Sequence, residues 1–295
     1  MHMYDYKLLE AFTAVVENKG FERASLVLHL TQSAVSQRVR QLEEAVGQIL
    51  LVRSNPPVPT DAGKNIISHF KKVELLEVEL DNSLLHKEVS GFTTVSVSLN
   101  ADSLCTWFLD AVEKAVKKNR ILLKLYVDDQ DETHRMMKDG EVSACISTRD
   151  KPFQSCSCSL IGTMSYKMFC SPEIYEKHFK NGFDINTLKE VPVIIYNEKD
   201  TLHKQMFTNA FKTQPSDFPY MHIPDVNKYK DAIANSFGIG MMTVMQCREF
   251  LDNGTLRDAF YPHTVQTPLY WHRWNITSLS LDALTNSILK KNMLI

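Results

Sequence analysis

Residues 32–43 read QSAVSQRVRQLE, and this stretch decides how the first third of the chain is interpreted. Thr31 is a suitable N-cap and Gly47 a suitable C-cap, so the pattern predicts a helix from Gln32 to about Val46. At about 100° per residue, four apolar side chains fall within an arc of roughly 60°. This arc predicts a buried face made of Val35, Val39, Leu42 and Val46.

The opposite face of this helix carries hydroxyl, amide and guanidinium groups. Such groups hydrogen-bond to base edges and phosphates when a helix lies in the major groove of DNA. The alternative is a polar face that only contacts solvent, as most amphipathic helices have. The face consists of Ser33, Ser36, Gln37 and Arg40.

The flanking segments favour the DNA-binding interpretation. Two shorter helices are predicted before Gln32. The second of them carries two small residues, Ala24 and Ser25, which allow close approach of a neighbouring helix. A short apolar strand, Leu50–Val52, and a proline-rich loop follow, as in a winged helix-turn-helix. The candidate DNA-binding residues are Gln32, Ser33, Ser36, Gln37, Arg38, Arg40 and Arg53.

A single long helix is predicted from Asp61 to about Glu88, where proline is absent and no glycine follows Gly63. At 1.5 Å per residue it is roughly 40 Å long. Its apolar residues form a narrow stripe that one helix cannot cover, so we expect it to pack against a second copy in a homodimer or homotetramer. The candidate dimerisation residues are Phe70, Val73, Leu76, Leu80 and Leu84.

After residue 91, strand-like and helical runs alternate, which predicts parallel sheets covered by helices. The fold class is therefore α/β plus an all-α N-terminus. Eight strands are predicted: Thr93–Leu99, Ile121–Val127, Ser143–Ser147, Met164–Cys170, Val191–Tyr196, Tyr220–Ile223, Ile239–Val244 and Thr267–Trp274.

Polar residues follow several of these strands, and ligands of open α/β sheets bind beyond the carboxyl ends of strands. A helix start at Ser103 would suit a carboxylate, and nearby carboxylates would suit a cation. A ligand with both groups, such as lysine or arginine, fits this pattern. The alternative is that Asp102 or Ser103 only caps its helix and that 128–131 is a solvated turn. The candidate effector-binding residues are Asn100, Asp102, Ser103, Asp129, Thr148 and Asp200.

Composition excludes several classes of protein. The chain has 295 residues, with 33 Lys+Arg against 35 Asp+Glu and a net charge of −2, which excludes a wholly basic nucleic-acid coat protein. No apolar run is long enough to cross a bilayer and no signal peptide is visible, so we expect a cytoplasmic protein. Six cysteines are too few for a disulfide scaffold.

Catalytic and metal motifs are not recognisable in the sequence. Cys156 and Cys158 have metal-ligand spacing, but no second pair or nearby histidine completes a site, so a plain loop is the preferred interpretation over metal binding or redox sensing. We therefore predict no metal, no cofactor and no enzymatic activity.

The N-terminal pattern resembles the winged helix-turn-helix of LysR-type transcriptional regulators. The residues that carry the resemblance run from Ala24-Ser25 through Thr31–Arg38 to Leu50–Arg53 and Thr60-x-x-Gly63. Gly20–Ala24, the proline-rich loop and Tyr270–Arg273 are similar to the ArgP/LysG branch, whose members sense basic amino acids and control their export.

This resemblance implies a DNA-binding domain (residues 1–60), a dimerisation helix (61–90) and an effector-binding domain (91–295). The effector domain would have two Rossmann-like lobes, as in periplasmic binding proteins: lobe one with residues 91–164 and 266–295, and lobe two with 165–265. The implied function is that of a sequence-specific regulator of amino-acid export or metabolism that responds to lysine or arginine. We expect an activator, with RNA polymerase as a further candidate partner. Two alternatives stay open: an architectural DNA-binding protein with little effector dependence, and a cytoplasmic α/β solute-binding protein or enzyme.

Overall fold

The computed structural model describes residues 4–84, 91–128, 130–182, 184–212, 218–291 and 293–294. The chain begins with three helices, α1 (Tyr6–Glu17), α2 (Phe21–Val27) and α3 (Gln32–Val46), followed by a two-stranded wing of β1 (Leu51–Val52) and β2 (Val58–Pro59). The predicted caps of α3 are confirmed: the Thr31 side chain accepts a hydrogen bond from the backbone N–H of Ala34, and Gly47 ends the helix at a φ of 73°.

The apolar face of α3 is buried, as predicted. Val35, Val39 and Leu42 are buried in one cluster with Leu9 and Phe12 of α1. A Glu43 carboxylate oxygen accepts hydrogen bonds from the backbone N–H groups of the wing, at 2.9 Å from Leu50 N and 3.2 Å from Leu51 N. This carboxylate therefore holds the wing in a fixed position beside α3.

The long helix α4 (Asp61–Leu84) belongs to two hydrophobic cores. Ile67 and Phe70 pack in the N-terminal core, whereas Leu75 packs in the core of the C-terminal domain. The prediction that Phe70 faces a second copy is therefore corrected: its ring is 8% exposed because it packs within its own chain.

The other dimerisation candidates differ in exposure. Val73 is half-buried, and Leu76 and Leu80 are 43% and 55% exposed. The side chain of Leu84 lies outside the described residues. That the exposed stripe at the C-terminal end of α4 is an interface stays a prediction.

The C-terminal domain is built on strands and helices in alternation. Its first part contains β3 (Thr93–Leu99), α5 (Ala101–Ser103), a π-helical turn (Leu104–Phe108), α6 (Leu109–Lys118), β4 (Ile121–Val127), α7 (Gln130–Lys138) and β5 (Ala144–Ser147). The long strand β6 (Cys156–Cys170) then leads to α8 (Pro172–Ile174), a second π-helical turn (Tyr175–Phe179) and a 3-10 helix (Ile185–Lys189).

The remaining elements complete the second half of the domain and return to the first. They are β7 (Val193–Ile195), α9 (Leu202–Phe211), β8 (Tyr220–His222), α10 (Val226–Ala234), β9 (Ile239–Thr243), α11 (Val244–Asp252), β10 (Arg257–Asp258), β11 (Val265–Trp274) and α12 (Leu279–Lys291).

The strands form one sheet in the order β4-β3-β5-β11-β6-β9-β7-β8, with β10 paired to β6. We call β3–β5 with α5–α7 and α12 lobe one, and β7–β9 with α8–α11 lobe two. Within each lobe the strands pair in parallel, as predicted. The prediction omitted the long antiparallel pair of β6 and β11, which joins the lobes. The sequence-based limits of the domains and lobes stay a prediction.

The Cys156–Cys158 segment is a strand and not the predicted loop. Cys156 pairs with Trp274, and Cys158 pairs with His272, at the start of β6. The segment is held in the extended conformation by the long ladder with β11. Among the described residues, no group of three or more His, Cys, Asp or Glu side chains could hold a metal ion.

Several contacts hold lobe one against α4. Lys64 Nζ lies 2.9 Å from the Asp139 carboxylate, and Lys72 Nζ lies 5.5 Å from the centre of the Trp274 ring. A Cβ added to Gly140, which has a φ of 71°, would lie 2.2 Å from the Ser68 Cβ. The close approach of the two backbones therefore requires glycine at this position.

None of the described helices combines the length and the apolar character that a membrane-spanning helix needs.

The start of α4 provides a test of the N-terminal packing. A Cβ on Gly63 would lie 2.3 Å from the backbone oxygen of Leu50 and 2.9 Å from Cζ of Phe12. We expect Gly63→Ala to destabilise the N-terminal domain by about 1–3 kcal/mol, because overpacking displaces α4 from the wing. Calorimetry should show a lowered N-terminal transition. Gly91→Ala, with nothing within 4 Å of its Cβ, is the matched control, and equal transitions in both variants would contradict this packing.

Candidate DNA-binding surface and ligand cleft

The polar face of α3 lies on the protein surface. Four of its predicted residues are exposed and two are half-buried. The exposed ones are Gln32, Ser33, Gln37 and Arg40, and the half-buried ones are Ser36 and Arg38. The Ser33 hydroxyl lies 3.0 Å from the Thr31 hydroxyl, so the cap also orients this side chain.

A groove of about 850 Å³ runs between α3, the start of α2 and the wing. Gln32 and Ser36 line it from α3, and Arg53 lines it from the wing, so the structure brings these three predicted residues together. Lys19 and Arg23 also line the groove, which the sequence analysis missed. Their position on either side of Gly20, at the start of a helix, was the available signal.

This groove has the chemistry of a nucleic-acid contact. Three cations and one carboxylate, Glu22, line this surface, which also presents amide and hydroxyl groups. Arginine and lysine contact phosphates, whereas amides and hydroxyls contact base edges as well. The arrangement can therefore hold a DNA backbone against the wing while α3 reaches the bases.

The second candidate site is a cleft of about 940 Å³ between the two lobes. Lobe one contributes Asn100, Asp102 and Thr148, and lobe two contributes Asp200. The structure thus brings four of the six predicted effector residues into one cleft. Asp129 lies outside the described residues, and its neighbour Asp128 lines the cleft.

Ser103 does not line the cleft, contrary to the prediction. Its side chain is fully buried, and its backbone N–H donates to the Asn100 side chain at 3.4 Å. The helix start that was predicted to bind a carboxylate is therefore capped from within the chain. Asn100 takes this role because it precedes the helix in an extended conformation.

Asp102 is held by two donors from outside lobe one. The Tyr166 hydroxyl of β6 donates to one carboxylate oxygen at 2.8 Å, and the Gln246 amide of α11 donates to the other at 3.1 Å. Burial raises the pKa of Asp102 above its ordinary value, and the Asp200 carboxylate raises it further. The two hydrogen bonds oppose this rise because they stabilise the charged form.

Asp200 is positioned by its own loop. Its carboxylate accepts hydrogen bonds from the backbone N–H of Leu202 at 2.9 Å and of Tyr196 at 3.3 Å. Burial raises the pKa of Tyr196, and the carboxylates of Asp102 and Asp128 add to the rise. The cleft is lined by three carboxylates, Asp102, Asp128 and Asp200, and by two ammonium groups, Lys199 and Lys230, so acidic groups exceed basic ones by one.

Sequence reasoning missed most of the cleft lining, including Tyr166, Tyr229 and Gln246. Tyr166 lies between Ser165 and Lys167, and Tyr229 lies between two lysines, so no local pattern marked either tyrosine as a cleft residue. Gln246 carried one local signal, because Thr243 and Gln246 form a capping box at the start of α11.

Comparison with known proteins gives the family. Residues 6–64 match the model described as "Bacterial regulatory helix-turn-helix protein, lysR family". Residues 106–290 match the LysR substrate binding domain. These two matches cover the DNA-binding surface and most of the cleft.

Similar proteins extend over nearly the whole chain. The chain is 34% identical over 291 residues to the HTH-type transcriptional regulator ArgP of Pseudomonas fluorescens (strain Pf0-1), which covers 98% of this chain and 97% of that protein. The ArgP of Aeromonas salmonicida is 33% identical over 274 residues, 93% of this chain and 92% of that protein.

Two solved structures have the same architecture. ArgP from Mycobacterium tuberculosis gives a TM-score of 0.89 at 28% identity, covering 99% of this chain and 98% of that chain. Full-length LysG from Corynebacterium glutamicum with bound effector Arg gives a TM-score of 0.78 at 26% identity, covering 98% of both chains. By the family models, the full-length relatives and the fold, this chain belongs to the LysR family of bacterial transcriptional regulators and is similar to its ArgP and LysG members.

Proposed function

We propose that this regulator senses a basic amino acid, lysine or arginine, in the cleft between the lobes and thereby controls its binding to double-stranded DNA. The observation that carries the proposal is the pair of carboxylates, Asp102 and Asp200, which line one cleft from opposite lobes. A cation between them would relieve their mutual repulsion and would link the lobes.

The remaining lining suits the other end of an amino acid. Thr148, Asn197 and Lys199 line the same cleft and carry hydroxyl, amide and ammonium groups. These groups are donors for a carboxylate. They replace the helix start at Ser103 as the proposed partners of the ligand's α-carboxylate.

The similarity to LysG with bound effector Arg supports this ligand class. It also favours an effector-dependent regulator over the architectural DNA-binding protein and over the solute-binding protein or enzyme. A regulator of amino-acid export or metabolism that acts on DNA in the cytoplasm, with no enzymatic role, is the function we infer.

The exposed stripe of α4 supports assembly into a homodimer or homotetramer. Leu76, Val78 and Leu80 are all at least 39% exposed on one helix, whereas residues nearer its start are buried within the chain. A dimer would place two DNA-binding surfaces on two half-sites, as symmetric operators require. RNA polymerase is a further candidate partner for such a regulator.

The effector assignment is tested by Asp102→Asn. We expect the affinity for lysine to fall at least about tenfold, because a charge-assisted hydrogen bond is worth roughly 1.5–3 kcal/mol. Titration calorimetry on the full chain is the measurement. Glu176→Gln, which removes an exposed carboxylate paired only with Lys180 on the surface, is the matched control and should bind lysine normally. An absence of heat with lysine and arginine at millimolar concentration in the wild type would refute the proposed ligand class.

The DNA contacts are tested by two single variants. Arg53→Ala should weaken binding to every sequence alike and lower the salt slope by roughly one unit, because a phosphate contact carries no base information. Gln37→Ala should instead change sequence preference, at a cost of about 1–3 kcal/mol for the preferred operator. Fluorescence anisotropy at several salt concentrations separates the two, with Lys117→Ala on α6 as a control. Unchanged operator affinity in both variants would rule out this surface.

The oligomer is tested by Leu76→Glu. An unpaired charge in an apolar seam costs on the order of 3–5 kcal/mol, so we expect dissociation toward monomers and loss of operator binding. Analytical ultracentrifugation measures the state. Leu279→Glu changes a leucine that is 62% exposed at the start of α12 and should leave assembly intact. If the Leu76 variant sediments like the wild type, this stripe is not the interface.

A further inference from the structure

The Gln246 side chain spans the cleft. It belongs to α11 of lobe two, and its Nε2 lies 3.1 Å from the Asp102 carboxylate and 2.8 Å from the Cys105 Sγ of lobe one. Both acceptors line the cleft. One amide group therefore joins the two lobes at the carboxylate that the proposed function assigns to the effector's cation.

The orientation of this amide is fixed from within lobe two. Its Oε1 accepts a hydrogen bond from the backbone N–H of Thr243 at 3.2 Å, and the Thr243 hydroxyl accepts one from the backbone N–H of Gln246 at 3.2 Å. Because this capping box engages the amide oxygen, the amide NH₂ is directed toward lobe one. The link between the lobes is thus built into the helix start and does not depend on a freely rotating side chain.

The two donors on Asp102 are not equivalent. Tyr166 lies in the strand that joins the lobes, and its side chain is 3% exposed. Gln246 is half-buried at the lining of the cleft. A ligand that approaches through the cleft can displace the amide of Gln246 far more easily than the buried phenol of Tyr166.

A cation and a neutral amide differ in the strength of the bond that they make to a carboxylate. An ammonium or guanidinium group adds a Coulombic attraction to the hydrogen bond that it donates to a carboxylate, and a neutral amide lacks this attraction. A lysine or arginine side chain can therefore replace Gln246 on Asp102, whereas an uncharged side chain gains nothing by doing so.

We propose that Gln246 competes with the cationic side chain of the effector for Asp102 and thereby limits the affinity of the cleft for such a ligand. The inference rests on the proposed function. Before the ligand binds, the Gln246–Asp102 hydrogen bond links the lobes and satisfies the carboxylate. When the ligand binds, its cation takes the place of the Gln246 amide.

The test uses two variants that remove the donor in different ways. Gln246→Glu keeps an oxygen for the Thr243 cap but replaces the NH₂ group with a carboxylate oxygen, and Gln246→Met keeps the length of the side chain without any donor. In full-length Gln246→Met we expect lysine to bind roughly three- to tenfold more tightly by calorimetry, the factor by which one net hydrogen bond changes a binding constant. The added negative charge of Gln246→Glu would tighten lysine binding by itself, so that variant serves only the exchange measurement below. Norleucine, which has the same chain without the amine, should gain nothing.

The control is Gln266→Ala. Gln266 is an exposed glutamine of β11 that accepts a hydrogen bond from Ser165 of the neighbouring strand at 2.8 Å, with no contact across the cleft. This variant should bind lysine as the wild type does.

A second measurement does not depend on the ligand. Amide hydrogen exchange of the ligand-free full chain should be faster at 101–108 and at 244–247 in both Gln246 variants, because the link between the lobes is gone. If the wild type binds no basic amino acid, the proposed function fails while this exchange experiment still decides whether the link exists.

Three results would overturn the inference. Weaker lysine binding in Gln246→Met would show that Gln246 holds the effector instead of competing with it. Equal gains for lysine and norleucine would show that only lobe opening is affected and not the choice of ligand. Unchanged exchange in both variants would show that the amide does not link the lobes.

Discussion

The pairing of β6 with β11 is the constraint on which the effector domain depends. The ladder runs from Tyr166–Val265 to Cys156–Trp274, with a register shift between Leu269 and Tyr270. The strands of lobe one join this pair because β5 pairs with β11, and the strands of lobe two join it because β9 pairs with β6. In the sheet, β11 and β6 stand between the strands of the two lobes. Tyr166 of β6 and Thr267 of β11 line the cleft, and the Tyr166 hydroxyl reaches Asp102 directly.

The long helix α4 connects this domain to the DNA-binding surface by shared packing. Ile67 and Phe70 are part of the N-terminal core, and Leu75 is part of the C-terminal core. The Lys64–Asp139 ion pair and the close approach of Gly140 to Ser68 add direct contacts with lobe one. Because one rigid helix contributes side chains to the cores of both domains, it couples the positions of the two domains more firmly than a flexible linker could.

Electrostatics explains why the cleft suits a cation. Asp102 and Asp200 come from opposite lobes, and both are half-buried, so water screens their charges less than it does at the surface. Donors within the chain already satisfy part of this charge: Tyr166 and Gln246 at Asp102, and two backbone N–H groups at Asp200. Both carboxylates are therefore partly satisfied within the chain.

Features that local periodicity encodes can be predicted from neighbouring residues. The caps and buried face of α3, the strands β3 and β4, and the carboxylates at strand ends all follow from neighbouring residues along the chain. The tertiary structure alone decided which groups meet across distant segments. Phe70 packs in its own chain, Asn100 caps the backbone of Ser103, the Cys156 segment becomes a strand, and Gln246 reaches Asp102, 144 positions away in the chain. These outcomes depend on how the folded chain, through β6 and β11, brings distant segments together. A local sequence pattern cannot specify such contacts, because the residues become neighbours only after folding.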